Sequence, residues 1–255
     1  MTVDVSATWL LAFLLATVRA GAWLVVVPPF SSRQTMPPVA LVGVAAGFGI
    51  LSAPLLQAQG VPTTTPGLIG AIVVQVFTGV ALGMVVSILV STAAAAGGMV
   101  DMFGSINPPP SMDPLSENQL PLFGQLYNQV AILSLFVSNG ELLLVRGFEM
   151  SFATHGLVLG SSQGVATTLV GDLSTFFTAA LEIAAPIVVV LFAVQVALAL
   201  VAKAAPQLNA WWLGLPVQIL LSLLLSAVAI RVLPAYMSNL VDRVLQDTRL
   251  LLGGH

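Results

Sequence analysis

Two charged side chains lie inside long apolar stretches, and their chemistry is the first thing to account for. Arg19 stands past the midpoint of Thr8–Val27, and Glu182 stands in the second turn of Phe176–Ala202. An ionised group inside a membrane-spanning helix costs at least ~2.5 kcal/mol unless it is paired or wetted. Each residue is therefore a candidate functional or assembly site. The structural alternatives are that the two pair with each other, or that each reaches a helix end and water; two isolated groups are few for a proton relay. No other constellation competes with them. The chain has no H-E-x-x-H and no phosphate loop, and His155 and His255 stand alone. Asp113 and Glu117 could form a carboxylate pair, but nothing nearby marks a substrate site and turn chemistry explains them. With Cys 0, disulfides, thiolate metal sites and thiol catalysis all drop out. The residues point to no enzyme, no cofactor and no metal.

The elements that must position Arg19 and Glu182 are helices in an apolar setting. Of 255 residues, 58% are hydrophobic and 7% charged, where a soluble domain carries about 25% charged residues. With a mean hydropathy of +1.03, too few polar groups remain to cover a water-soluble globule. A net charge of -3 with no basic stripe excludes nucleic acid as a partner. A helix crossing the hydrocarbon core needs ~20 mostly apolar residues. Thr8–Val27, Leu68–Ala96, Phe176–Ala202 and Trp211–Leu233 meet that length. Val39–Leu56 and Val130–Val145 are weaker, the second broken by Ser138, Asn139, Gly140 and Glu141. The expected class is all-α: hydrophobic helical hairpins, about six long apolar helices, and a C-terminal amphipathic helix, associated with a membrane.

The first apolar run follows no cationic segment and outlasts a signal-peptide core, so it reads as a retained helix. In a six-span arrangement Arg33 and Lys203 fall on one side, with Arg146, Arg243 and Arg249 on the other, which favours cytoplasmic termini. Proline pairs at Pro28–Pro29 and Pro37–Pro38, and Pro62 with Pro66, punctuate the hairpins. The long irregular stretch is Gly97–Leu126, with Pro108, Pro109, Pro110, Pro114 and Pro121; loops of this length in compact proteins are functional or disordered. The third helix carries small residues at every fourth position, Gly79, Gly83, Ser87, Ser91 and Ala95, a row that lets a neighbouring backbone approach. Gly43 and Gly47 repeat the spacing once. Lys203-Ala204-Ala205-Pro206-Gln207-Leu208-Asn209 forms a hairpin tip, with Pro206 ending the helix and Gln207 and Asn209 able to satisfy freed backbone groups. Met237, Leu240, Val241, Val244 and Leu245 repeat at helical spacing in the tail, fit for a membrane surface or a partner subunit.

The run Ala204-Ala205-Pro206-Gln207-Leu208-Asn209, followed by Gly214-Leu215-Pro216, resembles a hallmark of the FliR family of flagellar type III export-gate proteins. Arg19 with Pro28, Pro29, Phe30 and Arg33 is similar to that family's N-terminal pattern. Gly98-Met99-Val100-Asp101, Asp113-Pro114, Asn139-Gly140 and Arg146 follow in order. The likeness covers nearly the whole chain.

The resemblance implies a non-enzymatic subunit of the gate through which unfolded flagellar proteins leave the cytoplasm, at the bacterial inner membrane in the flagellar basal body. FliP and FliQ would join it in a closed helical ring, with FlhA and FlhB as neighbours. By the same resemblance, 1–96 is a FliP-like N-terminal half and 97–126 a Pro-rich plug loop. A broken FliP-like hairpin at 127–175 and a FliQ-like hairpin with amphipathic tail at 176–255 complete the chain. The family's plug role carries over to Met102, Phe103, Ile106 and Met112, although D-M-F-G here replaces the usual D-x-Q-x-G. Apolar side chains meeting in a narrow passage expel water and ions yet move aside for an extended chain. Arg19, Gly79, Gly83, Ser87 and Glu182 are the expected packing and assembly contacts. The alternatives are the homologous subunit of a virulence injectisome and, from another class, a small-molecule secondary transporter.

Overall fold

The computed structural model describes residues 6–28, 30–31, 36–104, 122–154, 162–205, 207 and 210–251. Among them the regular structure is entirely helical: α1 (Ala7–Val26), α2 (Pro38–Gln57), α3 (Thr65–Gly104), α4 (Leu122–Val137), α5 (Gly140–Thr154), α6 (Ser162–Ala204) and α7 (Ala210–Leu251). Their starts follow local chemistry. The Ser6 hydroxyl accepts from the Trp9 N–H at 3.2 Å and caps α1. Pro38 opens α2, where its missing N–H has no intrahelical partner to lose.

Among the described residues, five helical stretches are long and apolar enough to cross a membrane, and six if the bent pair α4 and α5 counts as one span. That pair turns by 75° at its break. Asn139 sits there with φ 54, the left-handed conformation that asparagine tolerates better than most residues. The interruption read from Ser138 to Glu141 is thus a sharp corner between two short helices.

Two expectations for element boundaries change. Helix α3 runs through Gly104, and α4 opens at Leu122, so both ends of the stretch expected to be irregular over 97–126 are helical. Gly97 and Gly98 punctuate the sequence without breaking the helix. The tail, expected as a separate amphipathic helix, is continuous with α7 through Leu251 and past Pro234. At 1.5 Å per residue, the 40 residues of α3 amount to about 60 Å, roughly twice the hydrocarbon thickness.

The chain divides into two compact units. The first holds residues 1–88, 139–173 and 240–255, and the second 89–138 and 174–239. In the first, α1 packs on α2 and α2 on α5. The buried stripe of α1, Leu15, Ala16, Arg19, Ala20 and Trp23, recurs every three or four residues. Trp23 stacks on Phe148 with centroids 4.7 Å apart, and Phe48 meets Phe148 edge-on at 5.6 Å, giving α1, α2 and α5 a shared aromatic core. In the second, Gly97 lets α3 and α4 touch: a Cβ there would overlap the Phe123 carbonyl. Helices α6 and α7 close their hairpin at Gly214, which abuts Leu198.

Candidate functional site

In the first unit Arg19 is fully buried. Its Nε donates to Gln75 Oε1 at 2.6 Å and its Nη1 to Ser151 Oγ at 3.0 Å. The guanidinium carbon lies 4.2 Å from the centroid of the Phe152 ring. The Ser151 hydroxyl in turn donates to the Phe148 carbonyl at 2.6 Å. Hydrogen bonds to charged groups contribute about 1.5–3 kcal/mol each, and a desolvated cation over an aromatic face adds ~2 kcal/mol. Together these offset part of the cost of burying the charge. One guanidinium therefore ties α1 to both α3 and α5.

Gly79 and Gly83 belong to the same seam. A Cβ on Gly79 would stand 2.5 Å from the Arg19 carbonyl oxygen, and one on Gly83 would stand 2.8 Å from Val26 Cβ. The rest of the expected row does not stay on this face. Ser87 is half-buried and Ser91 exposed, while Val86, Val90 and Ala93 are buried. At 100° per residue an i+4 row turns about 40° per step, so by Ser91 it has left the packed face. On α2, Gly43 and Gly47 face open space in this chain, and it is Gly49 that meets Thr17 of α1.

The far end of α3 is fixed within the second unit by two polar contacts. Asp101 is fully buried, and its Oδ2 accepts from the Gly124 N–H at 3.0 Å. It thereby caps the start of α4 from another helix, with the negative charge at the positive end of the helix dipole. Gln195 of α6 donates from Nε2 to the Phe103 carbonyl at 2.8 Å, satisfying one of the last acceptors of α3. These contacts hold Met102, 72% exposed, and half-buried Phe103 on the last turn of α3. Ile106 and Met112 lie outside the described residues, as do Pro206 and Asn209, while Gln207 is exposed in the turn between α6 and α7.

Glu182 is exposed on α6 within the second unit, and among the described residues no hydrogen bond or ion pair reaches its carboxylate. Arg19 is held by Gln75, Ser151 and Phe152, on helices of its own unit.

Sequence reasoning did not single out Gln75, Ser151, Phe152 or Gln195. Gln75 and Gln195 carried a usable signal, a lone amide in an apolar run, which demands a buried partner. Asp101 was visible only as part of the Gly98–Asp101 motif. Ser151 and Phe152 carried none, because a serine and a phenylalanine in a helical stretch look the same whether they face a buried guanidinium or not.

Residues 10–244 match the family described as bacterial export proteins, family 1. The chain is 26% identical over 245 residues to the flagellar biosynthetic protein FliR of Bacillus subtilis (strain 168), covering 94% of each. It is 25% identical over 240 residues to the flagellar biosynthetic protein FliR of Escherichia coli (strain K12), covering 93% of this chain and 91% of that one. With the protein of the same name from Caulobacter vibrioides it shares 22% identity over 215 residues.

Proposed function

This chain belongs to the bacterial export proteins, family 1, as a member of the FliR family, and we propose that it is a non-enzymatic subunit of the flagellar type III protein export gate. In this reading it joins FliP and FliQ subunits around the pore that passes unfolded flagellar proteins, beside FlhA and FlhB. The assembly lies in the bacterial inner membrane at the flagellar basal body. The observation that carries the proposal is the family match across residues 10–244. Relatives named for flagellar biosynthesis, aligned along nearly their whole length, favour the flagellar system over an injectisome.

The geometry supports a role in assembly and gating rather than in chemistry. Arg19, Gly79 and Gly83 form a rigid seam between α1 and α3, which gives the gate a firm scaffold. Met102 and Phe103, on the last turn of α3, are the residues assigned to the hydrophobic plug in this reading, together with Ile106 and Met112. Many apolar side chains remain exposed on the single chain, among them Val39, Val137 and Trp212 at 84%, 84% and 66%. Lipid and sister subunits cover such surfaces in the assembled gate.

Deletion of the gene tests the function directly. Flagellin and hook protein should fail to appear outside the cell, and complementation should restore them. A deletion strain that still assembles filaments would refute the proposal.

A further inference from the structure

We propose that the groove between α6 and α7 in the second unit seats a membrane-embedded helix of a neighbouring gate subunit, and that Glu182 receives a lysine or arginine from it. The inference rests on the export-gate reading and names the chemistry of one of its contacts.

The groove is a cavity of about 310 Å³. Ile183 and Pro186 line it from α6, Val228 and Val232 from α7, with Glu182 and Tyr236 as its polar members. Val228 and Val232 are 64% and 50% exposed, so the groove opens outward from the helix pair. Its walls are those of a helix-binding groove: two helices supply a trough of branched apolar side chains into which a third can lay its own.

Charge complementarity selects the occupant. Glu182 lies in the candidate span Leu173–Ala204, whose mean hydropathy is 2.7. Among the described residues nothing neutralises it. A carboxylate at such a site calls for a cation. A guanidinium meets a carboxylate with two donors of its planar fork, and an ammonium meets it with one. A lipid tail would fill the trough but leave the carboxylate unmet.

The test uses the full chain co-expressed with its FliP- and FliQ-type partners. A photo-crosslinking phenylalanine analogue replaces Val228 or Val232, and the adducts are mapped by mass spectrometry. The expected adduct joins a partner helix that carries a lysine or arginine within about one turn of the linked position. Glu182→Gln should lower the adduct yield on the order of tenfold, and Glu182→Arg should abolish it. Exchanging the partner's basic residue for glutamate should then restore the adduct to Glu182→Arg. Glu182→Gln is isosteric at an exposed site, so the chain itself still folds. Adducts with lipid alone, adducts with a segment lacking a basic residue, or a yield indifferent to Glu182→Gln would each overturn the groove assignment. In those cases a recovered complex leaves the export-gate reading standing. If the wild-type chain recovers no partner at all, both fall.

Discussion

Removing the Arg19 side chain deletes two charge-assisted hydrogen bonds and a cation–π contact that join three helices. Arg19→Ala should destabilise the chain by about 3 kcal/mol, read as a lower melting midpoint of the detergent-solubilised protein. Arg19→Lys should recover only part of this, because an ammonium cannot reproduce the fork that meets Gln75 and Ser151 together. Full stability of the alanine variant would show that the network contributes nothing. The glycines offer an internal comparison. Gly79→Ala would place a Cβ 2.5 Å from a backbone oxygen, which no rotamer change relieves, at a cost of about 1–3 kcal/mol. Gly98→Ala meets nothing within 4 Å, and Gly97→Ala overlaps the Phe123 backbone. Adjacent positions should therefore behave oppositely in a thermal melt. Equal behaviour would contradict the packing of α3 on α4.

At the scale of elements, the last turn of α3 is held by Asp101 and Gln195, and both contacts bear on the proposed plug. Asp101→Ala removes the cap on α4, worth about 0.5–2 kcal/mol; Asp101→Asn keeps an acceptor and should cost less. Replacing Met102 and Phe103 with glycine should make cells leaky to ions once the gate is complete, measured as loss of membrane potential or entry of a small dye. Unchanged conductance would remove those residues from the plug. This region also shows where sequence legibility ended. The corner at Asn139 could be read because polar side chains and a glycine fall together inside an apolar run. The end of α3 could not, because Gly97–Gly98 looks like punctuation until Phe123 is seen pressed against it. A glycine required by tertiary approach and a glycine ending a helix leave the same mark in one sequence. The tail's continuity with α7 was hidden likewise, since Pro234 signals a stop that the helix absorbs as an interior proline.

For the whole molecule, composition and the lengths of the apolar runs led to an all-helical, membrane-associated chain; the regular structure of the described residues is helical, and five or six of its stretches are long and apolar enough to cross a membrane. The spacing of apolar residues located the long helices. It could not say which faces turn inward, since in a chain this hydrophobic the side against lipid or a partner reads like the side against another helix. Gly43 and Gly47 show this: they carry the same spacing as Gly79 and Gly83, yet face open space in the single chain. Arg19 and Glu182 looked alike in sequence and differ in circumstance, one enclosed by its own unit and the other exposed. An apolar surface as wide as that left uncovered among the described residues calls for a cover of lipid and, on the proposed export-gate reading, of partner subunits as well. The measurement that tests this most directly is co-expression with FliP- and FliQ-type subunits, extraction in mild detergent and determination of the mass of the purified particle. We predict one stable complex containing this chain and both partners. A chain recovered alone, folded and monodisperse while the partners assemble without it, would contradict the account.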